Sequence, residues 1–151
     1  MLSEATRSVP ICVDANLVVL RVASTNDATT AESVRTLWRG WAEQRRRLVA
    51  PRLLLYEVTN ALHRLAIVRS IPREDAIDAL SLAQRLPIEF FHDVDLHQSA
   101  MQLAARFGRP AAYDAHYLAL ADRLGAEFWT ADRRLANSVR HELEWVRLVD
   151  D

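Results

Sequence analysis

Short apolar runs alternate with longer stretches in which apolar residues return every three or four positions, and this alternation continues along the whole chain. Ile11-Cys12-Val13 is the first short run, suited to a buried strand, and it ends at Asp14. Asn16 to Ala23 then takes up helical spacing. Thr29-x-x-Glu32 has the form of a capping box ahead of Val34, Leu37, Trp38, Trp41 and Ala42, which fall on one helical stripe. That helix is expected to run into Gln44-Arg45-Arg46-Arg47, a basic turn suited to the negative end of a helix dipole. Leu48-Val49-Ala50 is a second strand candidate, ended by Pro51. Arg52 to Val68 then reads as a long helix with Leu54, Val58, Ala61, Leu62 and Leu65 as its stripe and Glu57 at the stripe's edge. Pro72 opens another helix, with Ile77, Leu80, Ala83 and Leu86 expected inward. Ile88 to Phe91 is the third strand candidate. Asp95 is expected to cap a helix carrying Leu96, Ala100, Leu103, Ala104 and Phe107, which Gly108 would end.

The stretch from Pro110 to Leu135 holds the densest information. Pro110 suits a first helical position, and Gly125 suits the left-handed residue that ends a helix. Ala126 to Trp129 is a fourth short strand, broken by Thr130-Ala131-Asp132, with another helix after it. Glu144 to Val149 alternates enough to be a closing strand. Short apolar strands separated by helices predict an α/β sandwich with a mainly parallel sheet, whose functional groups belong at the carboxyl ends of the strands.

Composition narrows the class without naming a chemistry. The chain has 151 residues, 50% hydrophobic and 26% charged, which predicts one compact domain over 1–151 with a polar lead-in at 1–9. With 3 Gly and 5 Pro there is little material for linkers. A net charge of −1 does not announce a nucleic-acid binder, though it leaves room for a local basic patch. The single cysteine, Cys12, cannot form an internal disulfide, so a reducing, cytoplasmic compartment is expected. MLSEATRSVP lacks the apolar core of a secretory signal, and no apolar run is long enough to cross a bilayer, so no membrane association is expected.

The chemistry lies in the acids. Asp114 shares a helical face with Tyr117, Leu118 and Ala121, a face that should be buried, and no neighbouring basic residue accounts for it. A carboxylate there is costly unless a cation meets it. Asp14 and Asp132 both follow strands. Together with Glu57 they make a set of four whose mutual repulsion would raise one another's pKa, and one or two Mg²⁺ or Mn²⁺ ions would relieve it. Such ions can activate water and stabilise the leaving oxygen of a phosphodiester. Plainer readings exist for each acid except Asp114: Asp14 as a helix N-cap, Asp132 as a cap or turn acid, Glu57 as a solvated residue beside Arg64 or Asn60. Arg45-Arg46-Arg47 reads as a solvated helix end, whereas Arg133 and Arg134, beside Asp132, are candidates for phosphate contact. Trp38 and Trp41 read as core. The five histidines show no zinc-ligand spacing.

Taken in order, VDAN at 13–16, YEVTNALHR at 56–64, YDAHYLALADRLG at 113–125 and TADRRL at 130–135 resemble the PIN-domain nucleases, and in particular the VapC-type toxins of type II toxin–antitoxin pairs. The resemblance covers nearly the whole chain from about Ile11 onward. It implies a three-layer sandwich around a five-stranded, mainly parallel sheet in order 3-2-1-4-5. Asp14, Glu57, Asp114 and Asp132 match the family's catalytic metal-site acids, and Asn16 and Thr130 match its small polar supporting positions. The implied activity is Mg²⁺- or Mn²⁺-dependent endonucleolytic cleavage of RNA, often tRNA or ribosomal RNA. A homodimer and a cognate antitoxin that covers the active site are the implied partners, and the antitoxin or dimer surface is then the rival role for Trp38 and Trp41. The lead-in before Ile11 is longer than in many such toxins, and Ala111 and Ala112 stand where a hydroxyl residue is common. Two alternatives remain. One is a catalytically silent PIN-like binding module whose acids cap helices and pair with arginines. The other is a phosphatase with Asp14 as nucleophile, against which Asn16 occupies the place of the usual second Asp.

Overall fold

The computed structural model describes residues 8–23 and 28–150; residues 1–7, most of the expected polar lead-in, lie outside the described residues. Five strands form one sheet: β1 (Ile11–Val13), β2 (Leu48–Pro51), β3 (Ile88–Phe91), β4 (Glu127–Thr130) and β5 (Val146–Leu148). Every pairing is parallel and the order is β3-β2-β1-β4-β5, as expected. All residues of β1 and β2 are buried, so helices cover both faces of the central strands. The carboxyl ends of all five strands therefore lie on one edge.

Seven helices are described: α1 (Ala15–Val22), α2 (Ala28–Glu43), α3 (Leu53–Ile67), α4 (Arg73–Arg85), α5 (His97–Arg106), α6 (Tyr113–Leu124) and α7 (Arg133–Val139). α1 packs against α2, α3 and α4, whereas α6 lies along β1, β2 and β4 with α5 against it. The α3 stripe is as expected at its centre, with Leu54, Val58 and Leu62 buried. Trp38 and Trp41 are core residues, 7% and 4% exposed, in edge-to-face contact at 5.3 Å.

Several local expectations are corrected. Thr29 lies inside α2 and not at its cap, so the Thr29–Glu32 capping box is not formed. Ile77 is 56% exposed, and α4 instead buries Ala76, Ala79 and Ala83. Ala76, Ala79 and Ala83 recur three and four residues apart on one helical face, and Ile77 falls outside that face. Asp95 falls in a 3₁₀ turn at Asp93–Asp95 and makes no side-chain cap; Leu96 is the N-cap of α5. It is Asp93 that caps a helix, across the sheet edge, with Oδ2 accepting from the Leu53 N–H of α3 at 3.1 Å. Pro110 precedes α6 by three residues and is not in its first turn. The fourth strand moves one residue on, to Glu127–Thr130, and takes in Thr130, while the closing strand shortens to Val146–Leu148.

Two glycine stops are observed as expected. Gly108 and Gly125 have φ of +60° and +61°, the left-handed region where only glycine is unstrained. In both, the next N–H reaches back to close the helix: Arg109 to Ala104 O at 2.8 Å and Ala126 to Ala121 O at 2.9 Å. The first fixes where Arg109 leaves α5. The second turns α6 directly into β4.

Candidate active site

α6 is held by its inner face. Tyr117, Leu118 and Leu120 are at most 1% exposed, and each such burial is worth about 1.5–3 kcal/mol. That is enough to carry a carboxylate into half-buried surroundings one turn earlier, and Asp114 is there, in the first turn of α6. Asp14 follows β1 and Asp132 follows β4, while Glu57 sits one turn into α3, the helix that follows β2. All four acids expected from the sequence line one open cavity of about 280 Å³, together with Ala15, Asn16, Val19 and Ala61.

Each acid has a different setting. Asp14 occupies the N-cap position of α1 but makes no side-chain cap, so the plain capping reading fails there. It is 5% exposed, and its Oδ2 accepts from Thr130 Oγ1 at 2.7 Å and Asn16 Nδ2 at 3.2 Å. Burial, with further contributions from Asp114 and Glu57, pushes its carboxyl up to about 7, against the lowering effect of the Thr130 hydroxyl. Glu57 does not pair with Arg64 or Asn60; its Oε1 accepts from the Tyr117 hydroxyl at 2.6 Å. Burial raises the Glu57 pKa and Asp114 adds to the rise, while the phenol opposes it. Asp132 does cap its helix, with Oδ1 accepting from the Leu135 N–H at 3.0 Å.

Asp114 brings a correction. A basic residue does account for it: Arg109 Nη2 donates to Asp114 Oδ2 at 3.3 Å, and Arg109 Nη1 donates to Ser138 Oγ at 3.3 Å. Desolvation still raises the Asp114 pKa, with Arg109 opposing and Asp132 adding to it. The pair was hidden because Arg109 stands five residues before Asp114, outside the helix and beyond the three- or four-residue spacing that reveals ion pairs. Its only sequence signal is Gly108, which marks a chain reversal just before it.

Asn16 and Thr130 share a hydrogen-bond network with Asp14 and Asp132. The Asn16 amide bridges the ends of β1 and β4, donating to Thr130 Oγ1 at 3.2 Å while its Oδ1 accepts from Ala131 N–H at 3.1 Å. Thr130, fully buried, donates to Asp14 and accepts from the Asp132 N–H at 2.9 Å, so one hydroxyl ties together two of the acids. Tyr117 and His116 were missed in the sequence. His116 Nδ1 lies 2.8 Å from Ala112 O and Nε2 lies 2.8 Å from His97 Nδ1. Arg133 and Arg134 are exposed in the first turn of α7, beside Asp132. Arg46 and Arg47 are engaged at the opposite edge of the sheet, with Glu127 at 3.3 Å and Glu89 at 2.7 Å.

The donors facing the cavity are carboxylate and carboxamide oxygens, the set preferred by hard divalent cations. Among the described residues no three acids, histidines or cysteines are gathered closely enough to cage an ion. Mg²⁺ needs no such cage, because it keeps several waters and commonly takes one or two carboxylates plus substrate phosphate. Burial, and after it the neighbouring acids, raise the pKa values of Asp14, Glu57 and Asp114, so a cation beside them would be favoured and the residues fit such an ion.

Residues 11–140 match the PIN domain family. The chain is 34% identical over 92 residues to Ribonuclease VapC9 of Mycobacterium tuberculosis, covering 61% of this chain and 70% of that protein. It is 38% identical over 90 residues to Ribonuclease VapC3 of Pyrobaculum aerophilum, covering 56% and 65%. Among solved structures, PAE2754 from Pyrobaculum aerophilum superposes with a TM-score of 0.63 at 25% identity, covering 86% of this chain and 79% of that one.

Proposed function

The chain belongs to the PIN-domain family, and we propose from that premise that it is a VapC-type toxin: an endoribonuclease that hydrolyses RNA phosphodiester bonds with Mg²⁺ or Mn²⁺. The observation that carries the reading is the convergence of Asp14, Glu57, Asp114 and Asp132 on one cavity at the carboxyl edge of the sheet. A bound divalent cation would lower the pKa of water and offset charge on the leaving oxygen. The chain's own residues supply position. Thr130 and Asn16 fix Asp14, the Tyr117 hydroxyl fixes Glu57, and Leu135 N–H fixes one oxygen of Asp132. Asp14 and Asp114 are the principal metal-holding residues in this reading, with Glu57 and Asp132 completing the charge. Arg133 and Arg134, one and two residues beyond Asp132, contact RNA phosphates and set the strand's register on the site.

The substrate class is structured cellular RNA, tRNA or ribosomal RNA. Such a toxin needs a cognate antitoxin that covers the cavity, and it works as a homodimer. Among the described residues no helix is long and apolar enough to cross a membrane. A cytoplasmic setting suits the free, buried thiol of Cys12.

One observation favours the catalytically silent module: Glu57, Asp114 and Asp132 each already have a partner inside the fold. The two readings separate in one experiment. Incubation of total RNA with the protein and Mn²⁺ is expected to give discrete fragments bearing 5′-phosphate and 3′-hydroxyl ends, with Asp14→Asn and Asp114→Asn inactive. Fragmentation that persists in both variants, or that is indifferent to EDTA, would sink the nuclease reading.

A further inference from the structure

We propose that Arg109 is a built-in counter-ion of the acidic site, holding Asp114 while no divalent cation is bound and competing with that cation for the same carboxylate. The inference rests on the metal-site reading above and concerns how this chain keeps four acids together without the metal.

Three features of Arg109 support it. The hydrogen bonds on Asp14, Glu57 and Asp132 come from neutral donors: a threonine hydroxyl, an asparagine amide, a phenol and a backbone N–H. Asp114 is met by a full positive charge. That cation is placed by the backbone: Gly108 in the left-handed region and the Arg109 N–H bond to Ala104 O fix the start of the side chain, and Ser138 holds its far end. Ser138 is fixed in turn, its hydroxyl donating to Leu135 O at 2.7 Å. The grip on Asp114 is nonetheless loose. A charge-assisted N–H···O bond is normally about 2.7–2.9 Å, and this one is 3.3 Å. Arg109 Nε is buried with no hydrogen-bond partner among the described residues. A guanidinium with one long bond to its acid and a buried Nε–H without a partner is held near the site without being locked to it. It offsets charge on the acids and can yield the Asp114 carboxylate to a cation.

The consequence is a sign that a merely structural arginine would not give. Removing the positive charge leaves the folded, metal-free site more repulsive and the metal-bound site less so. A unit charge opposing a divalent ion at roughly 6 Å in water-like surroundings changes affinity by about tenfold. Calorimetric titration of Mn²⁺ into the full chain at pH 7.5 is therefore expected to show about tenfold tighter binding for Arg109→Gln than for wild type, with Arg109→Lys close to wild type. The rise in melting temperature produced by Mn²⁺ should be larger in Arg109→Gln than in wild type. If Arg109→Gln does not fold, Ser138→Ala, which frees the far end of the guanidinium, should shift Mn²⁺ affinity upward by a smaller factor. Mn²⁺ binding in wild type with unchanged or weaker binding in these variants overturns the counter-ion role alone. No Mn²⁺ binding in folded wild type overturns the metal-site reading, and this inference with it.

Discussion

Asp14→Asn should make the protein more stable while abolishing its activity. The Asp14 carboxyl is buried, and its pKa rises from the ordinary 3.8 to about 7. A folded-state pKa above the unfolded value means that the folded protein holds a proton the unfolded chain has released. Stability is then lost as pH rises, beginning near pH 4 and levelling off above about pH 7. At about 1.4 kcal/mol per unit, the full penalty is about 4 kcal/mol. Part of it is shared with Glu57 and Asp114, so a gain of about 2–4 kcal/mol is expected for Asp14→Asn at pH 8 without metal. For a chain of this length that corresponds to about 4–16 °C in melting temperature. The asparagine keeps an oxygen to accept from Thr130 and removes only the charge. Urea denaturation in EDTA at pH 4.5, 6 and 8 measures this directly. The difference between variant and wild type should be near zero at the lowest pH and grow with pH. A variant no more stable than wild type at pH 8, or a difference that does not change with pH, would refute the argument that burial of this charge strains the fold.

Other expectations follow from the same contacts. Excess Mn²⁺ should stabilise wild type by about 2.7 kcal/mol at a hundred times its dissociation constant, and EDTA should reverse this; a melting temperature blind to both would count against a metal site. Thr130→Val removes the donor to Asp14 and leaves the part-buried Asp132 N–H without its acceptor, so it should cost about 1–3 kcal/mol in chemical denaturation and lower cleavage. Tyr117→Phe removes the hydroxyl that holds the Glu57 pKa down, so the acid limb of the cleavage–pH profile should move to higher pH, with a stability cost of about 1 kcal/mol. Gly125→Ala meets no atom within 4 Å, so only its left-handed φ of +61° is strained, and thermal unfolding should report a loss of about 1–2 kcal/mol.

The sheet was legible because each strand is a short apolar run ended by a polar or turn residue, and parallel strands buried on both faces produce that pattern. The meeting of Asp14 and Asp132 in one cavity was legible for a related reason, since each follows an apolar strand at its carboxyl end, whereas Asp114 stood out by sharing a helical face with buried residues. Glu57 gave a weaker local signal, because a helix-edge glutamate looks the same in sequence whether it faces water or a phenol 60 positions away. Arg109 and Tyr117 were invisible as site residues for the same reason. Their contacts depend on where chain reversals and helix packing bring them, which periodicity does not encode. Ile77 and Asp95 went wrong where neighbours decided the outcome, since alanines on α4 took the inner face and Asp93, not Asp95, capped a helix.

The central claim is that these acids form one divalent-metal site, and it is tested most directly by calorimetric Mn²⁺ titration of wild type and Asp114→Asn in the absence of RNA. Saturable binding in wild type that is lost in folded Asp114→Asn is the predicted result. Equal binding in the two proteins, or none in either, would contradict it.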